Sequence, residues 1–302
     1  MLINFQPTLQ VSVILPVYND PKGVKTTLQS LVSQGYNNYE ILAVDNNSTD
    51  NTGTIINEFV SANPDLVCPL EEFDVQSSYA ARNTGIEHAE GDILLFLDAD
   101  IWAPETWIED MVSALETQNY DYLGCNVEVV TDDEPTFPER YERTLSFPVE
   151  SYLERKHFAP TCALAVRREV FEEVGPFDRR LESGGDKEFG QRVHRAGFEQ
   201  GYADDITAYH PARDSFEALR SKARRIGRGR AQMRRYHPEV GNYSNPFHPI
   251  NYLPPSPWRL RSRHSGEDVS VASMLAFYFL EYVLKLTQSV HFVCETVAMN
   301  RN

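Results

Sequence analysis

The sequence predicts an α/β protein: a mostly parallel sheet covered by helices on both faces, with a C-terminal helical extension. Two observations carry the sheet. Strand-like and helix-like patterns alternate four times within about the first hundred residues, the sign of parallel strands joined by crossover helices. The strand-like segments are also predominantly apolar, as strands buried on both faces must be. A third observation marks the extension: beyond Asp214 the composition turns basic, then Pro-rich, then helix-forming again.

Val11-Ser-Val-Ile-Leu-Pro-Val17 reads as the first strand, followed by the turn Tyr18-Asn-Asp20. Val24, Leu28, Leu31 and Val32 recur at three- and four-residue spacing, which predicts a helix. A second strand is expected over 39–44. The polar turn Asp45-Asn-Asn-Ser-Thr-Asp50 then ends in cap-type residues and opens a helix near 51–60, with Ile55, Ile56 and Phe59 on one side. A short strand near 66–70 precedes a helix that starts in Ser77-Ser-Tyr-Ala-Ala-Arg-Asn-Thr-Gly85 and leads into the apolar run Asp92-Ile-Leu-Leu-Phe-Leu97. Farther on, 131–138 reads as a loop, 139–156 as one helical stretch and 158–166 as a strand, with Arg167-Arg168 opening the next helix. Phe147 and Tyr152 in this stretch are candidates to stack on a sugar ring or to fill the core. Asp186 follows a Gly-Gly pair at the start of a helix whose Phe189 and Val193 face inward.

Candidate chemistry gathers at the strand ends. Asp98 and Asp100 follow the buried run 93–97, and Asp45 follows the second strand, so all three are expected at the carboxyl edge of the sheet, where open α/β sheets bind ligands. Two carboxylates two residues apart can share one hard divalent cation. Mg²⁺ and Mn²⁺ favour a few carboxylates completed by phosphate oxygens. The competing role for such residues is an ordinary polar turn. Asp45 suits hydrogen bonds from a uracil-type N–H or from ribose hydroxyls. Arg82, just inside a helix start, suits a base or a phosphate, or else a surface ion pair.

The segments Val13-Ile-Leu-Pro-Val-Tyr-Asn19, Val44-Asp-Asn-Asn-Ser-Thr-Asp50, Ala81-Arg-Asn-Thr-Gly85 and Leu97-Asp-Ala-Asp100 resemble, in order and spacing, the markers of the inverting family 2 glycosyltransferases. A fifth marker lies in Gly184-Gly-Asp-Lys-Glu-Phe-Gly-Gln-Arg192, where Gly185 stands at a position the family often gives to Glu. The resemblance covers about residues 11–211. It implies the GT-A fold, a Rossmann-like sheet, with a catalytic domain over 1–214 divided into a nucleotide-sugar half (11–100) and an acceptor and base half (101–214). It further implies a donor site bordered by Pro16, Tyr18, Asp45, Arg82 and Asp98. A cation, Mn²⁺ or Mg²⁺, would be held by Asp98 and Asp100, with His210 as a candidate third ligand. Asp186 would be the general base, with Glu188 orienting the acceptor or pairing with Arg192. The reaction class implied is transfer of a hexose or hexuronate from a nucleotide sugar, a UDP-sugar favoured, to a lipid-linked glycan of the dolichyl phosphate type. A soluble or polysaccharide acceptor is the alternative. A sugar-phosphate nucleotidyltransferase fits less well, because Pro16-Val-Tyr-Asn19 is not a Gly-rich phosphate loop. A non-catalytic binding subunit would not need Asp98, Asp100 and Asp186 together.

Charge adds a second layer. The 302 residues carry 44 acidic against 28 basic side chains, a net charge of −16, with arginine far in excess of lysine. Such a surface stays hydrated in concentrated salt and is typical of halophilic archaeal proteins. Yet Arg220, Lys222, Arg224, Arg225, Arg228, Arg230, Arg234 and Arg235 crowd into an expected helical segment over 215–244. A basic segment on an acidic chain points to an anionic partner. Arg225 and Arg228 are the candidates to hold the leaving diphosphate or a lipid phosphate, unless the segment is simply a solvated face. Nucleic acid is a poor fit to the remaining acidic surface.

A Pro- and Arg-rich linker is expected over 245–266, including Arg259, Arg261 and Arg263, followed by an amphipathic helix within 267–302. Its polar residues Ser270, Ser273, Glu281, Lys285 and Gln288 form a narrow stripe, and Glu281 and Lys285 interrupt any membrane-spanning run. A helix lying in the membrane interface, or docked on protein, is expected. Cys68, Cys125, Cys162 and Cys294 form no paired motif and read as small apolar residues in a reducing compartment. Residues 1–10 lack a signal-peptide pattern, so a cytoplasmic protein, peripheral at the inner face of the membrane, is expected.

Overall fold

The four parallel strands that set the site form where the apolar runs lie. In the computed structural model, which describes residues 9–145, 147–241, 243–256 and 270–301, β1 (Val11–Val17), β2 (Tyr39–Asp45), β3 (Val67–Glu71) and β4 (Ile93–Leu97) are mutually parallel. The crossovers are α1 (Pro21–Leu31), α2 (Thr52–Ala62) and α3 (Ser78–His88). After α4 (Trp107–Thr117) come β5 (Tyr122–Val130), α5 (Phe137–Arg143), α6 (Val149–Lys156), β6 (Ala163–Arg167) and α7 (Arg168–Val174). Then follow α8 (Gly185–Ala196), β7 (Gln200–Pro211), α9 (Phe216–Tyr236) and a C-terminal helix, α10 (Val271–Met299). The sheet has seven strands in the order β3-β2-β1-β4-β6-β5-β7, with β6 antiparallel to both β4 and β5. This is the mostly parallel α/β sheet and C-terminal helix the sequence predicts.

Register explains the shared edge. Val17 pairs with Asp45 and Ile14 with Phe96, so β1, β2 and β4 end on the same side. All five residues of β4 are buried, and its Phe96 sits in an aromatic cluster with Phe171 and Phe177, meeting Phe177 edge-on at 5.6 Å. Phe189 stacks on Phe171 at 4.7 Å and joins the same cluster. Each such ring contributes about 1.5–3 kcal/mol through burial, so the edge rests on a rigid base.

Two expectations differ in detail. The single helix expected over 139–156 is two, α5 and α6, because Pro148 lacks an amide proton and its ring disfavours helical backbone before it. The strand expected over 158–166 starts only at Ala163. Ahead of it, the Tyr122 hydroxyl accepts from Ala159 N (2.9 Å) and donates to Ala159 O (3.0 Å), satisfying that backbone without a ladder.

The chain divides into two compact units. The first comprises Met1–Val127, Pro148–Arg179 and Phe189–Tyr209, and the second Glu128–Phe147, Arg180–Glu188 and His210–Asn302. The second unit has its own core, in which Tyr141, Leu219, Phe277 and Leu280 pack with Phe137, Leu145 and Leu284. Gly227 lets α9 and α10 approach closely, since a Cβ there would stand 2.4 Å from the Gln288 carbonyl. Residues 250–255 run along α10, whose Tyr278, Tyr282 and Lys285 side chains donate to their carbonyls. The polarity of α10 is inverted. Its exposed positions, Val271, Ala272, Leu275, Phe279, Val283, Val290, Cys294 and Ala298, are all apolar or thiol, while Glu281, Lys285, His291 and Glu295 are half-buried. Among the described residues, no helix is long and apolar enough to cross a membrane. Arg259, Arg261 and Arg263 lie outside the described residues.

Candidate active site

The first unit brings the expected donor residues to one edge. Pro16 and Tyr18 stand at the end of β1, with Tyr18 exposed, Asp45 is the last residue of β2, and Asp98 follows β4. The two turns are laced together: Asn19 Oδ1 accepts from Thr49 N (2.7 Å), and Ser48 Oγ accepts from Asn19 N (2.9 Å). Asp45 Oδ1 accepts from Ser48 N at 2.9 Å, fixing one of its carboxylate oxygens within the turn. Buried Asn46 donates to the carbonyls of Glu72 and Val75, holding the neighbouring loop in place.

Arg82 reaches this edge from α3. It is buried against the Tyr79 ring and donates to Asp98 Oδ1 at 2.5 Å. Its Nε is buried without a hydrogen-bond partner. The guanidinium therefore fixes Asp98 and is not free to meet a base or a phosphate with its whole fork. A surface ion pair, the competing role for Arg82, is excluded by its burial.

Three residues of this edge escaped sequence reasoning. Asp20 caps α1 by accepting from Gly23 N at 2.8 Å. Burial raises its carboxyl above the usual range, Gly23 N–H opposes this, and the charges of Asp100 and Asp50 add to it. Gly23 is required by close approach, because a Cβ there would lie 2.1 Å from Asp20 Oδ2 and 2.6 Å from the Ala99 carbonyl. Cys162 is buried, its carbonyl accepting from Asp98 N, and burial first, then the charges of Asp98 and Asp100, push its thiol well up. The readable signal was Asp20-Pro21, a cap followed by an N1 proline. Just beyond Asp100, Trp102 stacks on Tyr209 at 4.1 Å and bridges to it through the backbone.

The second unit carries the other candidates. Asp186 lies in the first turn of α8, at the positive end of the helix dipole, its Oδ1 accepting from Lys187 N at 2.9 Å. Glu188 is buried, with His237 Nδ1 3.9 Å away. The segment before α8 is tied to α9 through Glu182. Its carboxylate accepts from Arg228 Nε (2.7 Å) and Gln232 Nε2 (3.2 Å), its N–H donates to Gln232 Oε1 (2.8 Å), and its carbonyl accepts from Arg225 (3.4 Å). Arg225 and Arg228 thus hold the segment that leads to Asp186. His210 is buried beside the Phe147 ring, with its Nδ1 2.6 Å from the Pro211 carbonyl.

Asp98 and Asp100 offer hard carboxylate oxygens, and Asp20 lies close enough to Asp100 for their charges to interact. Among the described residues no three His, Cys, Asp or Glu side chains converge as a protein-only cage. This donor set fits a cation that completes its shell with phosphate oxygens and water, the habit of Mg²⁺ and Mn²⁺ at nucleotide sites.

A sheet of this order, with acidic turns at the carboxyl ends of β1, β2 and β4, defines a glycosyltransferase of GT-A type. The chain belongs to glycosyl transferase family 2, which residues 12–175 match. It is 40% identical to the glycosyltransferase AglE of Haloferax volcanii over 225 residues, 74% of this chain and 73% of that one. It is 31% identical over 124 residues, 41% of this chain and 47% of that one, to WfgD of Escherichia coli, named a UDP-Glc:α-D-GlcNAc-diphosphoundecaprenol β-1,3-glucosyltransferase. Its fold is similar to the mannosyltransferase PcManGT of Pyrobaculum calidifontis, solved with GDP-Man and Mn²⁺. The TM-score is 0.64 at 19% identity, covering 97% of this chain and 88% of that one.

Proposed function

We propose that this glycosyltransferase moves a hexose or hexuronate, with inversion, from a UDP-sugar to a lipid-linked glycan of the dolichyl phosphate type. The observation that carries the donor assignment is the convergence of Asp45, Asp98 and Arg82 at one edge of the first unit, beside Asp100 and Asp20. Asp45, with Pro16 and Tyr18, takes the nucleoside, and Asp98 meets the ribose and the cation. Asp98 and Asp100 would hold a Mn²⁺ or Mg²⁺ whose shell phosphate oxygens complete, and that cation would supply charge stabilisation to the departing diphosphate; His210, buried beside Phe147, is not needed as a third protein ligand. Asp186 accepts the proton of the acceptor hydroxyl as its oxygen bonds to the anomeric carbon. The bond from that carbon to the diphosphate breaks, and the nucleoside diphosphate leaves with the electron pair. Glu188 orients the acceptor.

The lipid-linked acceptor is supported by one relative, the diphosphoundecaprenol-directed WfgD. The outward apolar face of α10, with Leu275 and Phe279 about two-thirds exposed, supports a peripheral seat on the cytoplasmic face of the membrane. The test is release of nucleoside diphosphate from a donor panel, with and without divalent cation and a lipid-phosphate acceptor. Asp186→Asn is expected to lower turnover by at least ~10²-fold while leaving donor affinity unchanged. Full turnover in that variant, or cation-independent release, overturns the mechanism.

A further inference from the structure

The second unit contains a cavity of about 780 Å³ between α5, α9, α10 and residues 250–256, a size typical of small-molecule sites. Leu219, Ile226 and Leu284 give it an apolar wall. Lys222, Arg230 and Lys285 bring three cations to the rest of the lining, against the two carboxylates of Glu142 and Glu281. In a chain of net charge −16, a lining with more cations than carboxylates is unexpected.

The three cations are not equivalent. Lys222 Nζ is bonded to Glu142 Oε1 at 2.9 Å, and Glu142 also receives Arg213 at 3.1 Å. Lys285 Nζ donates to the carbonyls of Ile250 (3.0 Å) and Leu253 (2.7 Å). Arg230 makes one long bond, to Asn251 Oδ1 at 3.4 Å, and its Cζ stands 4.8 Å from the Phe292 ring centroid. It has no carboxylate in salt-bridge reach among the described residues, and burial pulls it below its ordinary basicity. Its neighbour Arg228, by contrast, is paired to Glu182. A guanidinium carries five donors in a planar fork, and a half-buried one short of acceptors carries a desolvation cost that an arriving anion offsets. That fork matches phosphate geometry. A phosphate alone would leave the apolar wall uncovered.

We propose that this cavity binds an amphiphile with a phosphate or diphosphate head, gripped by Arg230, and an apolar chain laid on Leu219, Ile226 and Leu284. This rests on the lipid-linked acceptor reading and assigns that substrate class a site in the second unit. The test is calorimetric titration of the full chain with farnesyl diphosphate in metal-free buffer, beside inorganic pyrophosphate and farnesol. Farnesyl diphosphate is expected to bind at least ~10-fold more tightly than either fragment, and Arg230→Gln to weaken it ~10-fold or more, the scale of a lost charge-assisted contact. Ile226→Trp, which fills the cavity and leaves the cation in place, is expected to weaken it similarly. Asp100→Asn, at the other site, is expected to leave it unchanged. Pyrophosphate binding as tightly as farnesyl diphosphate would reduce the cavity to a free phosphate site and overturn the proposal. So would affinity that survives both Arg230→Gln and Ile226→Trp, or that is lost in Asp100→Asn. Intact, cavity-dependent binding in a protein that never transfers sugar to lipid would instead sink the acceptor reading and leave the site standing.

Discussion

Asp98→Asn probes the donor edge through stability as well as activity. Arg82 is 3% exposed, its Nε has no partner, and the Asp98 carboxylate 2.5 Å away is its only ion-pair partner among the described residues. The Asp98 side chain is 37% exposed. Removing the negative charge therefore strands a buried cation, whereas removing Arg82 leaves a carboxylate that water can reach. Breaking a buried pair from one side costs about 3–5 kcal/mol, and the solvent reaching Asp98 reduces this to about 2 kcal/mol. In a chain of this length that lowers Tm by about 3 °C. Arg82→Met is expected to cost about 1 kcal/mol, and the double variant about 1 kcal/mol less than the sum of the two. Thermal and urea unfolding of the four proteins at neutral pH without donor would measure this. If Asp98→Asn melts within about 1 °C of the parent, or the losses simply add, the buried guanidinium does not depend on Asp98 and the reasoning fails.

Gly23→Ala places a methyl 2.1 Å from Asp20 Oδ2 and 2.6 Å from the Ala99 carbonyl. It is expected to cost about 1–3 kcal/mol by overpacking, and to weaken cation-dependent donor binding, since the methyl displaces the loop carrying Asp100. Unaltered donor affinity in a destabilised variant would separate Gly23 from the site. Acid should loosen the second unit through Glu142, whose carboxyl burial pushes up but Lys222 and Arg213 together hold below the usual glutamate range. Because the unfolded chain takes up that proton first, the stabilisation is complete above the ordinary glutamate range and lost as pH falls through the depressed folded value. Glu142→Gln should flatten the stability–pH curve there, and an unchanged curve would remove Glu142 as its cause. Leu275→Glu with Phe279→Glu, both on exposed positions of α10, should leave folding intact and release the protein from anionic vesicles in a sedimentation assay. Equal sedimentation of parent and variant would rule out that face as the membrane seat.

What the sequence determined by itself is what local chemistry dictates. Apolar runs ending in Asp45 and Asp98 specify buried parallel strands with carboxylates at one edge, since near-continuous hydrophobicity fits a sheet covered on both sides. The Gly-Gly-Asp start of α8 and the basic helical segment over 215–244 were legible as well. Tertiary structure decided what depends on partners distant along the chain. Arg82 became the buried clamp of Asp98 because α3 packs on β1, the strand paired with β4. Arg228 was drawn to Glu182, forty-six residues away, while Arg230, two residues on, lines a cavity and has no carboxylate in salt-bridge reach among the described residues. Helical periodicity fixes which residues share a face. Only packing fixes what that face meets, which is why α10 turns its apolar side outward and its charges in.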